Sequence, residues 1–324
     1  MTPDRRRLLG LLASLPLLPA PLRAQAWPSR ALRIITPFAA GGATDIYARG
    51  LAQGLQAALG QAVVVDNRPG GNFAIGTEAA AKAEPDGHSL FTVTSSHAVL
   101  EVLGVNRDKY QLMRDFTPVA ALNTTTCVLV VHPSVPANSV RELVALAKAK
   151  PGQLNYSSTG SGGMLHLAGE LFKSLSGADI THVPYKTGGT ARVDLMSGRV
   201  QLMFDTLTDA AANVRAGKLR ALATCGAKRS PLFPDLPTIA EAGVPGYELP
   251  VLIGIMAPTG TPRAAVERLN REIGRLVMQP ELRDAWLKMG AESTVMTPEE
   301  LGRALAADID KWGRLIKSAK IVVE

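Results

Sequence analysis

Three stretches of the chain combine glycine with small hydroxyl side chains where a strand-like run gives way to a helix-like one. They are Pro37-Phe38-Ala39-Ala40-Gly41-Gly42-Ala43-Thr44-Asp45, Ser157-Ser158-Thr159-Gly160-Ser161-Gly162-Gly163 and Tyr185-Lys186-Thr187-Gly188-Gly189-Thr190. The chemistry open to such loops is anion binding. The first amides of a helix lack intrahelical partners, and the helix dipole favours negative charge at that end. Glycine at a strand-to-helix turn also serves purely steric ends, so one such loop decides nothing. Their recurrence in two halves of the chain favours an anionic group.

Other chemistries fit less well. Gly160-Ser161-Gly162 has Leu165 where a dinucleotide loop needs its third glycine, and Gly71 to Gly76 has P-loop-like spacing but Thr77 in place of the lysine. NAD and ATP are therefore rejected, and no cofactor is expected. Ser161 has Thr159 rather than glycine two positions upstream, so the nucleophile elbow is not met; Ser161, His166 and Asp205 still leave a serine hydrolase open as a weaker alternative. His88, His97, His132, His166 and His182 show no short ligand pairing, so no metal site is expected. His166, early in a helix behind a glycine loop, reads as a hydrogen-bonding or packing residue. Asp205 closes the apolar run Val200 to Phe204 and either caps the next turn or faces a ligand, where it would repel carboxylates and accept from amines or hydroxyls. Ser95 and Ser96, after Leu90 to Val93, are candidate donors.

These side chains need a scaffold, and the hydrophobic pattern supplies one. Apolar β-like runs at Leu32–Ile35, Val63–Val65, Leu90–Val93, Cys127–Val131, Ile180–Val183, Val200–Phe204, Leu219–Ala223 and Val251–Ile255 alternate with stretches of helical period, such as Tyr47, Leu51, Leu55 and Ala58. That alternation predicts α/β layers around parallel sheets. Ser139 with Glu142 and Thr238 with Glu241 are spaced as capping boxes, and Thr297-Pro298 opens a long amphipathic helix through Leu301, Leu305, Ile309, Trp312 and Ile316. Gly243 and Gly290 stand where helices end. After about Ala257 the text is almost wholly helical, which predicts that the tail packs back on the first half. A cleft between two halves is then the expected site.

Residues 1–26 read as an export signal, with Arg5-Arg6-Arg7, the apolar run Leu8 to Leu22, and Ala24-Gln25-Ala26. Arg5-Arg6 fits a twin-arginine signal as well as an ordinary basic one. Pro16, Pro19 and Pro21 interrupt the run, which argues against a membrane anchor. The full chain has 324 residues and a net charge of +7, of which the signal holds four Arg and one Asp. The remaining excess is mild and scattered, so nucleic acid is not an expected partner. With 46% hydrophobic and 19% charged residues, disorder is excluded. Cys127 and Cys225 lie in apolar, strand-like text and are expected as two separately buried thiols, a disulfide being the alternative in an oxidising compartment.

Several segments in order resemble the solute-binding proteins of tripartite tricarboxylate transporters, the TctC or Bug family. They include Val65-Asp66-Asn67-Arg68-Pro69-Gly70-Gly71, Pro85-Asp86-Gly87, Val183-Pro184-Tyr185-Lys186, Asp194-Leu195-Met196-Ser197-Gly198, Phe204-Asp205 and Pro237-Thr238-Ile239-Ala240-Glu241-Ala242-Gly243, besides the first glycine loop. The resemblance implies a two-lobed, type II-like periplasmic-binding-protein fold. Each lobe is a mostly parallel sheet flanked by helices, with lobe one from residues 27–130 and 250–324 and lobe two from 131–249. It also implies a periplasmic, monomeric receptor without enzymatic activity, which closes on a small organic carboxylate (a di- or tricarboxylate, an amino acid or an aromatic acid). Its partners would be inner-membrane transporter subunits; an exported sensor docking on a signalling receptor is the other reading. Phe38, Ala39, Gly42 and Asp45 match the family's first-loop pattern, and Ser161, Tyr185 and Asp205 match positions lining the second lobe. Ala40 departs from the proline common there, and Thr187-Gly188 alters the text after Tyr185-Lys186. Together with Gly41, Thr44, Ser95, Ser96, Thr159, Gly160 and His166 from the loops, these residues form the expected ligand-binding set.

Overall fold

The computed structural model describes residues 27–319; the expected export signal, residues 1–26, lies outside the described residues. The chain opens with β1 (Leu32–Thr36), α1 (Ala43–Leu59), β2 (Val63–Asn67), α2 (Ala74–Ala81), β3 (Ser89–Thr94), α3 (Ser95–Val102), a single turn α4 (Leu112–Asp115) and β4 (Phe116–Thr125). It continues through β5 (Cys127–Val131), α5 (Val140–Ala149), β6 (Leu154–Ser158), α6 (Met164–Ser176), β7 (Ile180–Pro184), α7 (Gly188–Met196), β8 (Leu202–Thr206), α8 (Leu207–Arg215) and β9 (Arg220–Thr224). Last come β10 (Val251–Pro258), α9 (Arg263–Val277), α10 (Pro280–Leu287), β11 (Glu292–Ser293) and α11 (Pro298–Ala319).

Two sheets result, ordered β11-β4-β10-β3-β1-β2 and β7-β6-β8-β5-β9. Both are mixed. In the first, β1 is parallel to β2 and β3, while β10 runs antiparallel to β3 and β4; in the second, β6 is parallel to β7 and β8, while β5 runs antiparallel to β8 and β9. Two of the reversed strands, β5 and β10, enter their sheet from the other lobe; the third, the two-residue β11, lies antiparallel to β4 at the edge of the first sheet. Because only Thr126 separates β4 from β5, the crossing falls there, and β5 belongs to the second sheet rather than with residues 27–130.

Both helical layers of the first sheet draw on the tail, as the sequence suggests. Val266, Leu269 and Ile273 of α9 join Leu51 and Leu55 of α1 in one core against Ile34, Leu90 and Ile255. Leu301 and Leu305 of α11 fill the opposite face with Ile35, Phe91, Val93 and Met256. A third core crosses between lobes, since Val99 of α3 and Trp312 and Leu315 of α11 are buried with Leu167, Phe172, Phe204, Tyr247 and Leu249. Among the described residues no helix is long and apolar enough to cross a membrane.

Cap chemistry follows the sequence with two refinements. Thr297 and Glu300 form a complete box at the start of α11, Thr297 N donating to Glu300 Oε2 at 2.8 Å and Glu300 N to Thr297 Oγ1 at 3.2 Å. The same reciprocal pair at Thr238 and Glu241 closes a turn, not a helix. At α5, Ser139 caps Glu142 N, but Glu142 reaches back to the amide of Asn138.

Both cysteines are buried free thiols, yet they are not separate. The register that pairs Val128 with Thr224 places Cys127 opposite Cys225, whose N–H donates to the Cys127 carbonyl at 2.8 Å. Burial pushes the Cys127 thiol well up, with Cys225 beside it adding to the shift.

Candidate functional site

Strand direction decides where the glycine loops lie. β4 runs in the same sense as β1, β2 and β3, because each is parallel to its neighbour or separated from it by the reversed β10. The chain leaves the carboxyl end of β4 directly into β5, which is antiparallel to β8. The carboxyl ends of β1, β2 and β3 in one lobe therefore face those of β6, β7 and β8 in the other, and every glycine loop opens onto that cleft.

In the first loop, Ala39 to Gly42 are exposed and Phe38 and Thr44 half-buried. Gly41 has φ +82°, a left-handed conformation that favours glycine. The loop is held from beneath by Asp45. One of its oxygens accepts from Gly41 N at 2.9 Å and Arg49 Nε at 2.9 Å; the other accepts from Asn67 Nδ2 at 2.9 Å. Burial alone would raise the Asp45 pKa, but these donors together hold it below the usual carboxylate value. Asp45 thus organises the loop and spends both oxygens doing so. Asn67 also reaches the Phe38 carbonyl at 3.2 Å.

After β3, Thr94 caps α3 and His97 Nδ1 accepts from Thr94 N at 3.1 Å. Burial pushes the His97 pKa down to about 4, so the ring is neutral, with its proton on Nε2. Ser95 is fully buried and accepts from Leu252 N of β10 at 3.0 Å; it serves the strand junction instead of the cleft. Ser96 is half-buried at the loop surface.

In lobe two, Ser157 and Ser158 belong to β6, so the loop proper starts at Thr159. Thr159 and Ser161 are exposed and Gly160 half-buried. His166 is buried; its Nδ1 accepts from Gly162 N at 3.0 Å, and its ring stacks on His182 of β7 with centroids 3.9 Å apart. Desolvation lowers both, His182 to about 4 with its His166 neighbour contributing, so two neutral imidazoles meet. Tyr156 packs on His182, and its hydroxyl donates to Glu170 Oε1 at 2.8 Å. Half-buried Tyr185 adjoins this loop, with its N–H on the Ser158 carbonyl and its hydroxyl donating to Asp194 Oδ2 at 2.8 Å.

Asp205 is fully buried on β8. Arg192 Nε of α7 donates to it at 2.7 Å and Thr206 N at 2.8 Å, and the same guanidinium bonds Asp209. Burial raises the Asp205 pKa, and Arg192 offsets part of that rise. The hydrolase triad is not assembled, since His166 bonds a backbone amide and Asp205 bonds Arg192. Among the described residues no cluster of three or more His, Cys, Asp or Glu forms a metal site.

The expected residues thus divide. Phe38, Ala39, Ala40, Gly41, Gly42, Thr44, Ser96, Thr159, Gly160, Ser161 and Tyr185 lie on the loop surfaces, while Asp45, Ser95, His166 and Asp205 are buried supports. Arg192, Asn67 and His182 complete those supports, and their pairings with Asp205, Asp45 and His166 carry no signal in the sequence, because each partner lies on a different strand or helix. Phe73, which precedes α2, packs on Phe38 with centroids 4.7 Å apart and on His97 at 5.3 Å.

Two α/β lobes with facing carboxyl-end loops, joined by strands that cross between them, define a periplasmic-binding-protein fold and a site built to enclose a solute. Solved structures agree: a Rhodopseudomonas palustris protein, Rpa4515, with adipate has a TM-score of 0.80 at 36% identity, covering 92% of this chain and 100% of that one. MatC from the same organism, with bound malate, has a TM-score of 0.77 at 30% identity, covering 90% and 100%. BugT of Bordetella pertussis is 36% identical over 92% of each chain. The profile of the tripartite tricarboxylate transporter family receptor, TctC, matches residues 47–321, and the chain belongs to that family of solute-binding receptors.

Proposed function

We propose that the mature chain is a periplasmic receptor that holds a small organic carboxylate between its lobes and delivers it to inner-membrane subunits of a tripartite tricarboxylate-type transporter. One observation carries this reading. Helices α3, α5, α7 and α8 are closed at their N-termini by Thr94, Ser139, Thr187 and Thr206; α2, α4, α9 and α10 have no side-chain cap, and neither do α1 and α6, which begin at Gly42 and Gly163 directly after the glycine loops that follow β1 and β6. Of α1 and α6, one lies in each lobe, at the cleft. Their first amides and dipoles suit a carboxylate each, or one carboxylate enclosed from both sides. The adipate and malate of the solved relatives support that chemistry.

In this reading lobe one is drawn from both ends of the chain and closes on lobe two over the ligand. Ala39 to Gly42 with Thr44, and Thr159 to Ser161, supply amides and hydroxyls, with Tyr185 at the edge. Preorganised amides offset the dehydration of the anion without a buried lysine. The test is a melting-temperature screen of the mature protein against mono-, di- and tricarboxylates. A ligand at a hundred times its Kd stabilises by about 2.7 kcal/mol. Silence across the whole panel would defeat the proposal, and ligand-dependent uptake by vesicles carrying the membrane subunits tests delivery.

A further inference from the structure

Three aromatic rings from three successive strand ends meet at the lobe-one face of the cleft. Phe38 follows β1, Phe73 follows β2 and His97 follows β3; Phe38 lies 4.7 Å from Phe73 and 6.0 Å from His97, and His97 lies 5.2 Å from the buried Phe91. Phe38 and Phe73 remain half-buried, while His97 and Phe91 are fully covered and form the floor.

Phe73 occupies this position at a conformational cost. Its φ is +69°, after Asn72 at +50°, a region that bulky side chains avoid. The surrounding structure imposes it. Asn106 Nδ2 bonds the carbonyls of Gly71 and Asn72, both at 3.2 Å, and the close approach of Gly76 to Pro37 fixes the next turn against the first loop. Backbone strain enforced from several sides, on a ring left half in solvent, marks a functional position rather than a packing one.

Charge at this face is already committed. Asp45 is bonded to Arg49, Asn67 and Gly41, and Arg68 to Asp66. Beside the open amides of α1 the lobe-one surface therefore offers hydrocarbon, and in its floor the buried His97 Nε2 has no partner among the described residues.

We propose that the site takes an arene carboxylate, with the carboxylate on the glycine-loop amides and the flat ring against Phe38 and Phe73, and that Phe73 is a specificity-determining residue. This rests on the receptor reading above. Offset or tilted aromatic contacts add to area burial, so the ring's contribution is about tenfold in affinity.

The experiment is calorimetric titration of the mature wild-type protein and of Phe73→Gly with benzoate and with malate. Glycine adopts positive φ without strain, so the variant keeps its loop. The expected result is tighter wild-type binding of benzoate than of malate by about tenfold or more, with Phe73→Gly losing about tenfold for benzoate and much less for malate. Malate binding as tightly as benzoate overturns the proposal, as does an equal loss for both ligands, and either result leaves the receptor reading intact. If benzoate does not bind, the proposal falls whatever malate does, and if the wider carboxylate panel also fails, the receptor reading falls with it.

Discussion

Replacing Arg192 with methionine tests how the lobe-two face is held. Asp205 is fully buried, and Arg192 is its only side-chain partner among the described residues, at 2.7 Å; the Thr206 amide at 2.8 Å would remain. Deleting one member of a buried pair leaves an uncompensated charge and costs about 3–5 kcal/mol. Arg192 is 19% exposed and one amide bond survives, so the lower end, about 3 kcal/mol near neutral pH, is expected. The sign of the pH dependence follows from Asp205. Its folded-state pKa is already raised, and removing Arg192 raises it further. A carboxylate with a raised folded-state pKa costs stability as pH climbs above its unfolded value, and taking up a proton relieves that cost. The deficit of Arg192→Met should therefore be large at about pH 8 and shrink towards about pH 5, and Arg192→Met with Asp205→Asn should recover most of it. Urea unfolding of the wild type, Arg192→Met, Asp205→Asn and the double variant at both pH values measures this. A deficit under about 1 kcal/mol, or one equal at both pH values, would show that Asp205 does not carry a buried charge needing compensation.

Three further outcomes are expected. Asp45→Asn should cost about 1–2 kcal/mol near neutral pH and weaken carboxylate binding; because the Asp45 pKa is lowered, the stability difference should vanish as pH falls through its folded value, read from unfolding curves against pH. Gly76→Ala places a Cβ 2.7 Å from Pro37 Cα and 2.8 Å from the Arg68 carbonyl, both backbone, and should destabilise by about 1–3 kcal/mol in chemical denaturation. Cys127 and Cys225 should resist a thiol reagent in the native protein and react as two thiols on unfolding; one disulfide recovered by mass spectrometry from exported protein would contradict this.

Each of the eight apolar runs read from the sequence lies in or overlaps a strand; in β3, β5 and β8 burial on both faces writes a continuous hydrophobic signal, whereas the edge strands β2 and β7 are only partly buried and are marked by their β-branched residues. β4 and β6 escaped that reading. Pro118 interrupts β4, where its missing N–H falls beside a register shift, and β6 ends in Ser157 and Ser158, which read as loop. The glycine loops were legible because their chemistry is local. The supports beneath them were not: Arg192 reaches Asp205 from another element, and His166 meets His182 across a sheet. Local text gives Asp205 the same appearance whether it faces a ligand or a guanidinium. Phe73 lies in a segment noted for its glycines, and only its backbone angle sets it apart.

The core that crosses between the lobes constrains their motion. Trp312 and Leu315 of α11 and Val99 of α3 are buried in one cluster with Tyr247, Leu249 and Phe172, and Lys311 Nζ donates to the Glu248 carbonyl at 2.5 Å. A protein whose two halves met only at crossing strands could flap like a book. Here any opening that leaves this seam intact must turn about it as on an axle, so the glycine loops travel along an arc whose centre is set by a buried tryptophan.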